Sequence, residues 1–263
     1  MTNLKGHAVK ARPPLWSYWV VLPGFVVIWA FIAWLIQSPL LPTPLQVLDT
    51  LVREAASGDL WHHLGATFSR VAVAFVLAMS LGTVIGVSMG RSATTNALFD
   101  PLLVLLLNLP ALVTIILMYV WFGLVEVAAV MAVVINKVPN VAVTVREGAR
   151  SLDYRLEQMA TVYEFTRWQR FREVWVPQLF PYLMAATRGG LALIWKIVLV
   201  VELLGRSSGV GFQLHLAFQV FDVATILAYS LAFIAVVQLI ELTILQPLER
   251  RSSRWRQPEA AHA

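Results

Sequence analysis

The chain of 263 residues contains no cysteine and few charged residues. Without cysteine it can form no disulfide bond and carry out no thiol chemistry. Charged residues make up 13% of the sequence, against about 25% in typical soluble proteins. Hydrophobic residues make up 59%, and the mean hydropathy is +0.72. This composition predicts a polytopic membrane protein.

Motifs of several common functions are also missing. The sequence has no G-x-x-x-x-G-K-[ST] phosphate loop, no H-E-x-x-H zinc motif and no Ser/His/Asp nucleophile group, so we predict neither a nucleotide site nor an enzyme. His62 and His63 are adjacent, and neighbouring side chains of a helix diverge, so a histidine pair in an interfacial loop is favoured over a metal site. The formal net charge is +5, but the basic residues lie beside apolar segments, which argues against a nucleic-acid partner.

Six apolar segments have the length of a transmembrane helix, about 20 residues. They are residues 16–36, 67–89, 98–122, 125–145, 185–204 and 223–245. The third and fourth contain Asn108 with Pro110 and Asn136 with Pro139, so both are predicted to break near the middle. The second contains a G-x-x-x-G spacing at residues 82 and 86, which predicts close helix packing.

Basic residues predict the orientation of these spans. Most of the 20 lysines and arginines fall on segments that a six-span topology places inside, and only Arg53 and Arg206 fall outside. We therefore predict cytoplasmic tails at 1–15 and 251–263 around a membrane domain at 16–250. Residues 37–65 contain a helix-patterned stretch, LQVLDTLVREA, which predicts an interfacial helix outside.

The polar stretch 146–184 interrupts the apolar sequence and predicts two short amphipathic helices. Ser151 and Asp153 are N-cap candidates for the first, and Thr166 with Gln169 forms a capping box for the second. Prolines at 177 and 181 are predicted to end the second helix. The apolar faces consist of Leu156, Met159, Ala160 and Tyr163 in the first helix and Trp168, Phe171 and Trp175 in the second. Such faces beside a membrane predict docking to another protein.

This stretch resembles the cytoplasmic signature of ABC importer permeases: E-A-A, three residues, glycine, nine residues, then I-x-L-P. The matching positions are Gln158-Met159-Ala160, Glu164 and Val174-Trp175-Val176-Pro177. Over roughly residues 45–250, WQRFREVWVPQLFPYL, VWFGLVE and VVELLGRSSGVGF are similar to the nitrate/sulfonate/taurine branch. Glu164 departs from the pattern, because glycine tolerates a left-handed turn there. It implies either a different local backbone or a strained one.

The resemblance implies an all-α, type I ABC importer permease fold with six transmembrane helices in a bacterial inner membrane. It also implies partners: ABC ATPase subunits that hold ATP and Mg²⁺, an external substrate-binding protein, a second permease copy forming a homodimer, and membrane lipid. No cofactor is expected in this chain. The implied cargo is a sulfonate, taurine, nitrate or similar small anion. The residues expected to dock on the ATPase are Leu156, Gln158, Met159, Ala160, Tyr163, Glu164, Trp168, Phe171 and Pro177.

Polar residues inside the spans are candidates for a translocation pathway, because an ionisable group in a membrane usually faces a bundle interior or water. They are Asn108, Asn136, Lys137, Lys196 and Glu202. The alternative is structural: either lysine pairs with Glu202 or Glu126, or it binds carbonyls that proline frees. Arg70 and Glu126 are predicted to form interfacial or interhelical pairs. A rival function is an ion-coupled secondary transporter or channel, with the charged residues as relay groups.

Overall fold

The computed structural model describes the backbone of residues 15–247 and the side chains of residue 21 and residues 23–247, and this part of the chain contains helices and no β-strand. The predicted tails, apart from residue 15, lie outside the described residues. The helices are α1 (Leu15–Ile36), α2 (Pro44–Ser57), α3 (Asp59–Arg91), α4 (Ala93–Asn108), α5 (Ala111–Phe122), α6 (Glu126–Arg150), α7 (Tyr154–Val162), α8 (Arg167–Gln169), α9 (Val176–Gly205), α10 (Val210–Gln219) and α11 (Val223–Ile240). Two π-helical turns, Arg170–Trp175 and Glu241–Leu245, extend α9 and α11.

Four helices within the described residues are long and apolar enough to cross a membrane: Asp59–Arg91, Glu126–Arg150, Arg167–Gly205 and Val223–Leu245. The pair α4 and α5 forms a fifth if it is counted as one span, although it bends by 99°. This bend confirms the predicted break at Asn108 and Pro110. Helix α1 matches the predicted first segment closely, and its Pro23–Ile36 part is a shorter apolar helix. The structure therefore supports four or five spans, and the sixth remains a prediction.

The predicted break in the fourth segment is wrong, because α6 continues through Pro139 to Arg150. A proline removes only one backbone donor, and neighbouring helices can hold the rest of the ladder in place. Pro139 is itself buried. The carboxamide of Asn136 donates a hydrogen bond of 2.8 Å to the Ala132 carbonyl, so it binds its own helix rather than opening it.

The centre of the bundle is the contact between α3 and α6, and the predicted G-x-x-x-G spacing makes it possible. A Cβ atom on Gly82 would lie 2.6 Å from the Cβ of Val141, and one on Gly86 would lie 2.6 Å from the carbonyl oxygen of Ala142. Both distances are far below van der Waals contact. The close packing predicted for this spacing is therefore confirmed, and it sets which faces of the two helices meet.

Helix α2 lies where an interfacial helix was predicted in the 37–65 segment. Thr43 and Gln46 form a reciprocal capping box at its start, and Gly58 ends it in the left-handed conformation with φ of +92°. Glu54 on α2 accepts a 2.8 Å hydrogen bond from the hydroxyl of Tyr229, a fully buried residue of α11. This bond fixes α2 across the end of α11.

Candidate docking loop and translocation path

The docking loop, residues 151–175, projects from the bundle between α6 and α9. Its first helix, α7, is capped by Asp153, whose carboxylate accepts a 2.8 Å hydrogen bond from the backbone of Arg155. Ser151, the other candidate, instead ends α6. Of the two predicted N-cap residues, Asp153 is therefore the one that caps α7.

The two halves of the docking loop are joined at Glu164, which has φ of +51°. Its N–H donates a hydrogen bond of 3.1 Å to the Thr161 carbonyl, and the N–H of Phe165 donates one of 2.9 Å to the Ala160 carbonyl. This pair of bonds is the Schellman motif, whose left-handed position is usually glycine. Of the two alternatives for Glu164, the structure shows the strained one: the turn is kept, and a residue with a Cβ occupies it.

The second half of the loop begins as predicted, since Thr166 and Gln169 form a capping box. It does not end at the prolines: from Arg167 the helix continues through Pro177 and Pro181 to Gly205. Directly before Pro177 the chain makes the π turn Arg170–Trp175, in which the hydrogen bonds span five residues. This change of register accommodates the missing proline N–H.

Most of the predicted docking residues are exposed. They are Leu156, Gln158, Met159, Tyr163, Glu164, Trp168, Phe171 and Pro177. The rings of Trp168 and Phe171 stack at 5.7 Å and form an aromatic patch. Ala160 is different, because it is fully buried. The docking loop thus presents apolar side chains to the outside of this chain while Ala160 holds its inner side.

An ionic and aromatic contact fixes the docking loop to the end of α3. The Arg91 guanidinium lies 2.6 Å from the Glu157 carboxylate and 5.0 Å from the centre of the Trp175 ring. The Trp175 indole also donates a 3.1 Å hydrogen bond to Glu157. Both halves of the docking loop therefore contact Arg91, the last residue of α3.

We expect Glu164→Gly to fold and assemble normally and to tighten the turn, because glycine accepts a positive φ without the roughly 1 kcal/mol that a Cβ adds there. The measurement is hydrogen exchange at the amides of residues 164 and 165, which should slow. Glu164→Ala is the matched control, since it removes the carboxylate but keeps the strain. Equal loss of transport in both variants would show instead that the carboxylate contacts a partner.

Around Arg70, in the N-terminal half of α3, four charged residues form an ion cluster: Arg70, Glu126, Glu202 and Arg206. Arg70 lies 2.7 Å from Glu202 and 3.2 Å from the second oxygen of Glu126, and Arg206 lies 2.6 Å from Glu126. The interhelical pairing predicted for Arg70 and Glu126 is confirmed. The alternative that Lys137 or Lys196 pairs with these carboxylates is wrong, because within the described residues both carboxylates pair with arginines and neither lysine forms an ion pair.

Glu202 is fully buried and holds the 206–211 segment against the bundle. Besides Arg70, its carboxylate accepts hydrogen bonds from the hydroxyl of Thr67 at 2.8 Å and from the backbone of Gly211 at 2.9 Å. A Cβ on Gly209 would lie 2.3 Å from the carboxylate carbon, and Gly209 has φ of +113°. The segment can therefore approach this closely only with glycine. The segment therefore forms an ordered cover over a buried acid.

The adjacent histidines lie within α3 rather than in a loop, which corrects that part of the prediction. His63 is buried, and its Nδ1 accepts a 3.0 Å hydrogen bond from the backbone of Gly209. Its Nε2 lies 2.7 Å from the Gln213 carboxamide. Within the described residues no group of three or more His, Cys, Asp or Glu side chains is arranged to hold a metal ion. His63 supports the same segment as Glu202.

The remaining pathway candidates occupy different surroundings. Asn108 is exposed and donates to the Val104 carbonyl of its own helix at 2.7 Å. Asn136 is half-buried on α6, Lys137 beside it is 4% exposed, and Lys196 on α9 is exposed. The structure does not bring the five candidates together into one site. It places Glu202 in the ion cluster and leaves Asn136, Lys137 and Lys196 on α6 and α9.

Sequence reasoning missed the roles of Thr67, His63 and Gly211 in the ion cluster. Thr67 and His63 lie on α3, one and two turns before Arg70. Both side chains accept hydrogen bonds from backbone N–H groups of the 206–211 segment. The one sequence signal was the presence of opposite charges, Arg70 and Glu202, inside apolar segments, which favours a buried pair. The sequence around each charged residue does not show which polar groups from other helices form hydrogen bonds with the buried pair.

A helical chain with several membrane-length helices and a protruding loop of exposed aromatic residues is a polytopic membrane subunit of a larger assembly. The family described as binding-protein-dependent transport system inner membrane component matches residues 78–246. The chain belongs to this family, and it is a permease component of an ABC importer. The alternative of an ion-coupled secondary transporter is not favoured.

Relatives and solved structures agree with this assignment. The chain is 31% identical to the putative aliphatic sulfonates transport permease protein SsuC of Bacillus subtilis (strain 168), over 97% of this chain and 95% of the relative. It is 29% identical to the taurine transport system permease protein TauC of Escherichia coli (strain K12), over 96% of each.

Its fold is similar to that of a chain in a crystal structure of an amino acid ABC transporter with histidines, with a TM-score of 0.61 and 20% identity over 76% of this chain and 97% of that one. It is also similar to a chain of the inward-facing MetNI methionine ABC transporter, with a TM-score of 0.57 and 17% identity over 79% and 96%. The fold is therefore that of a type I ABC importer permease.

Proposed function

We propose that this permease imports a small organic sulfonate such as taurine, or a similar small anion, delivered by an external binding protein. The single observation that carries the importer mechanism is the docking loop, whose exposed apolar side chains need a protein partner. The sulfonate class is supported by the two relatives named for aliphatic sulfonates and taurine. ATP and Mg²⁺ bind to separate ATPase subunits, and this chain supplies no catalytic group.

The orientation and assembly follow from the same surfaces. The docking loop and both termini lie in the cytoplasm, where the loop meets the ATPase, and α2 and the 206–211 segment face the binding protein outside. Two copies of the permease pack together in the lipid bilayer as a homodimer. An external signal from a reporter placed near Leu156 would contradict this orientation.

The mechanism uses α3 as a rigid connection between the two ends of the molecule. Arg91, at its C-terminal end, binds the docking loop, and Arg70, in its N-terminal half, binds the other members of the ion cluster. These residues are 21 positions apart, which is about 32 Å along a helix. When the ATPase subunits close, movement of the docking loop shifts α3 and thereby the segment over Glu202, so that the pathway opens alternately to each side.

The pathway follows α6 and α9. Asn136, Asn140 and Thr144 recur at i, i+4 and i+8, so they form one polar stripe on α6. Asn136 and Thr144 are half-buried and Asn140 is exposed. On α9, Gly189, Ala192 and Lys196 form an exposed stripe of small residues with one cation. Polar side chains exposed on membrane helices are costly against lipid, which supports a water-filled path beside them.

The test uses the complete importer in liposomes, with its ATPase subunits and binding protein. Taurine and ethanesulfonate are expected to stimulate ATP hydrolysis several-fold and to be taken up, whereas a neutral heterocycle should do neither. Nitrate separates the sulfonate proposal from that of a general anion importer. Stimulation by the neutral solute alone would overturn the proposed substrate class, while leaving the permease assignment intact.

A further inference from the structure

Lys137 is a buried cation without a protein partner among the residues that the structure describes. Its side chain is 4% exposed, and it makes no hydrogen bond or ion pair there. The buried acid of the bundle, Glu202, and the half-exposed Glu126 are already bound by Arg70 and Arg206. Lys137 therefore differs from the other buried charges of the bundle, each of which is paired.

Such an arrangement works against stability. An ammonium group taken out of water without a counter-ion is strongly unfavourable, and replacing even a buried ion pair by well-packed apolar side chains is often neutral or stabilising. A residue whose only role is to hold the fold together would not be a lone buried cation. Groups that lower stability in this way are typical of functional sites, where the compensating contact comes from a ligand.

The side chain of Lys137 is packed against α9. Its side chain crosses to α9 at Gly190, where a Cβ would lie 2.9 Å from the lysine Cε and 3.5 Å from Nζ. On α6, Lys137 is about 100° around the helix from Asn136 and adjoins the polar stripe that ends at Thr144. The ammonium thus lies at the contact between the two helices that carry the proposed pathway.

We propose that Lys137 binds the anionic head group of the transported solute, a sulfonate or a similar oxyanion, when α6 and α9 separate during transport. This inference rests on the proposed function and names the residue that selects negative charge in the pathway. The lysine has a flexible four-carbon stem, so a small separation of the helices frees its ammonium to donate hydrogen bonds to the oxyanion. After the anion leaves, the helices close over the lysine again.

The test combines transport with stability, because the two readouts separate a functional lysine from a structural one. In the complete importer, Lys137→Met is expected to reduce ethanesulfonate uptake at least tenfold, while ATPase subunits still copurify. The same variant should unfold at a temperature equal to that of the wild type or about 2–4 °C higher, followed by tryptophan fluorescence. Lys137→Arg keeps the charge and should retain more uptake than Lys137→Met.

Lys196→Met is the matched control for the unfolding temperature. It removes the same charge from an exposed position on α9, so its unfolding temperature should not rise. A fall of several degrees in Lys137→Met would show that the lysine is structural and would overturn the inference, as would unchanged uptake. If the wild-type importer takes up no sulfonate, the proposed substrate is wrong, and the unfolding temperature still decides whether Lys137 is structural.

Discussion

Arg70→Ala is expected to destabilise the protein severely. The substitution leaves Glu202 fully buried without its counter-ion and leaves the carbonyl of Ser208 without the 2.7 Å bond that Arg70 donates. Removing one partner of a buried ion pair typically lowers the free energy of unfolding by about 3–5 kcal/mol. For a domain of this size, this corresponds to a fall of roughly 6–20 °C in unfolding temperature.

The measurement is thermal unfolding of the purified permease in detergent, followed by tryptophan fluorescence. Arg53→Ala is the matched control: its ion pair with Asp49 is exposed at the surface of α2, where such pairs contribute near zero to about 1 kcal/mol. The double variant Arg70→Met, Glu202→Gln should regain part of the lost stability, because no unpaired charge remains. An Arg70→Ala protein as stable as Arg53→Ala would contradict the importance of the ion cluster.

The second large effect is expected from a charge on the docking loop. Met159→Asp or Phe171→Asp should abolish copurification with the ATPase subunits while the permease still inserts and folds. Both side chains are exposed in this chain, so the new carboxylate is solvated before assembly. In the complex it would be buried against the partner without a counter-ion, which costs several kcal/mol. A loss of more than about 2 kcal/mol would reduce affinity by over an order of magnitude.

Assembly is measured by the amount of ATPase retained on tagged permease and by coupled ATP hydrolysis. Thr43→Asp is the control, because it adds the same charge at the start of α2, where aspartate is also a good N-cap. Its assembly should match the wild type. Normal assembly of both docking-loop variants would mean that the ATPase binds another face of the loop.

Features that depend on neighbours in the sequence were predictable. The caps at Asp153 and Thr166 were recognised because a capping bond joins residues two or three positions apart. The last apolar segment, 223–245, has the bounds predicted from hydropathy alone. Prolines were the exception: Pro139 and Pro181 lie inside helices, since neighbouring helices hold a backbone that local rules would interrupt.

The docking loop was predictable in pattern but not in every side chain. Helical periodicity places Ala160 on the same stripe as Met159, yet Ala160 is fully buried and Met159 is exposed. Their difference arises because the loop folds back on itself at Glu164. A glycine at that position would have predicted the turn from the sequence. A helical stripe shows which residues share a face, but it does not show what covers them.

The sequence by itself determined that this is a helical membrane permease with a protruding polar loop, because hydropathy and helix capping act over a few residues. Only the tertiary structure decided how the buried charges are used. Arg70 rather than a lysine binds Glu202, 132 positions away along the chain, and Lys137 is left without a partner. The reason is geometric: the close contact of α3 and α6 at Gly82 and Gly86 fixes which helix faces meet, and a buried charge can pair only with a group on the face opposite it.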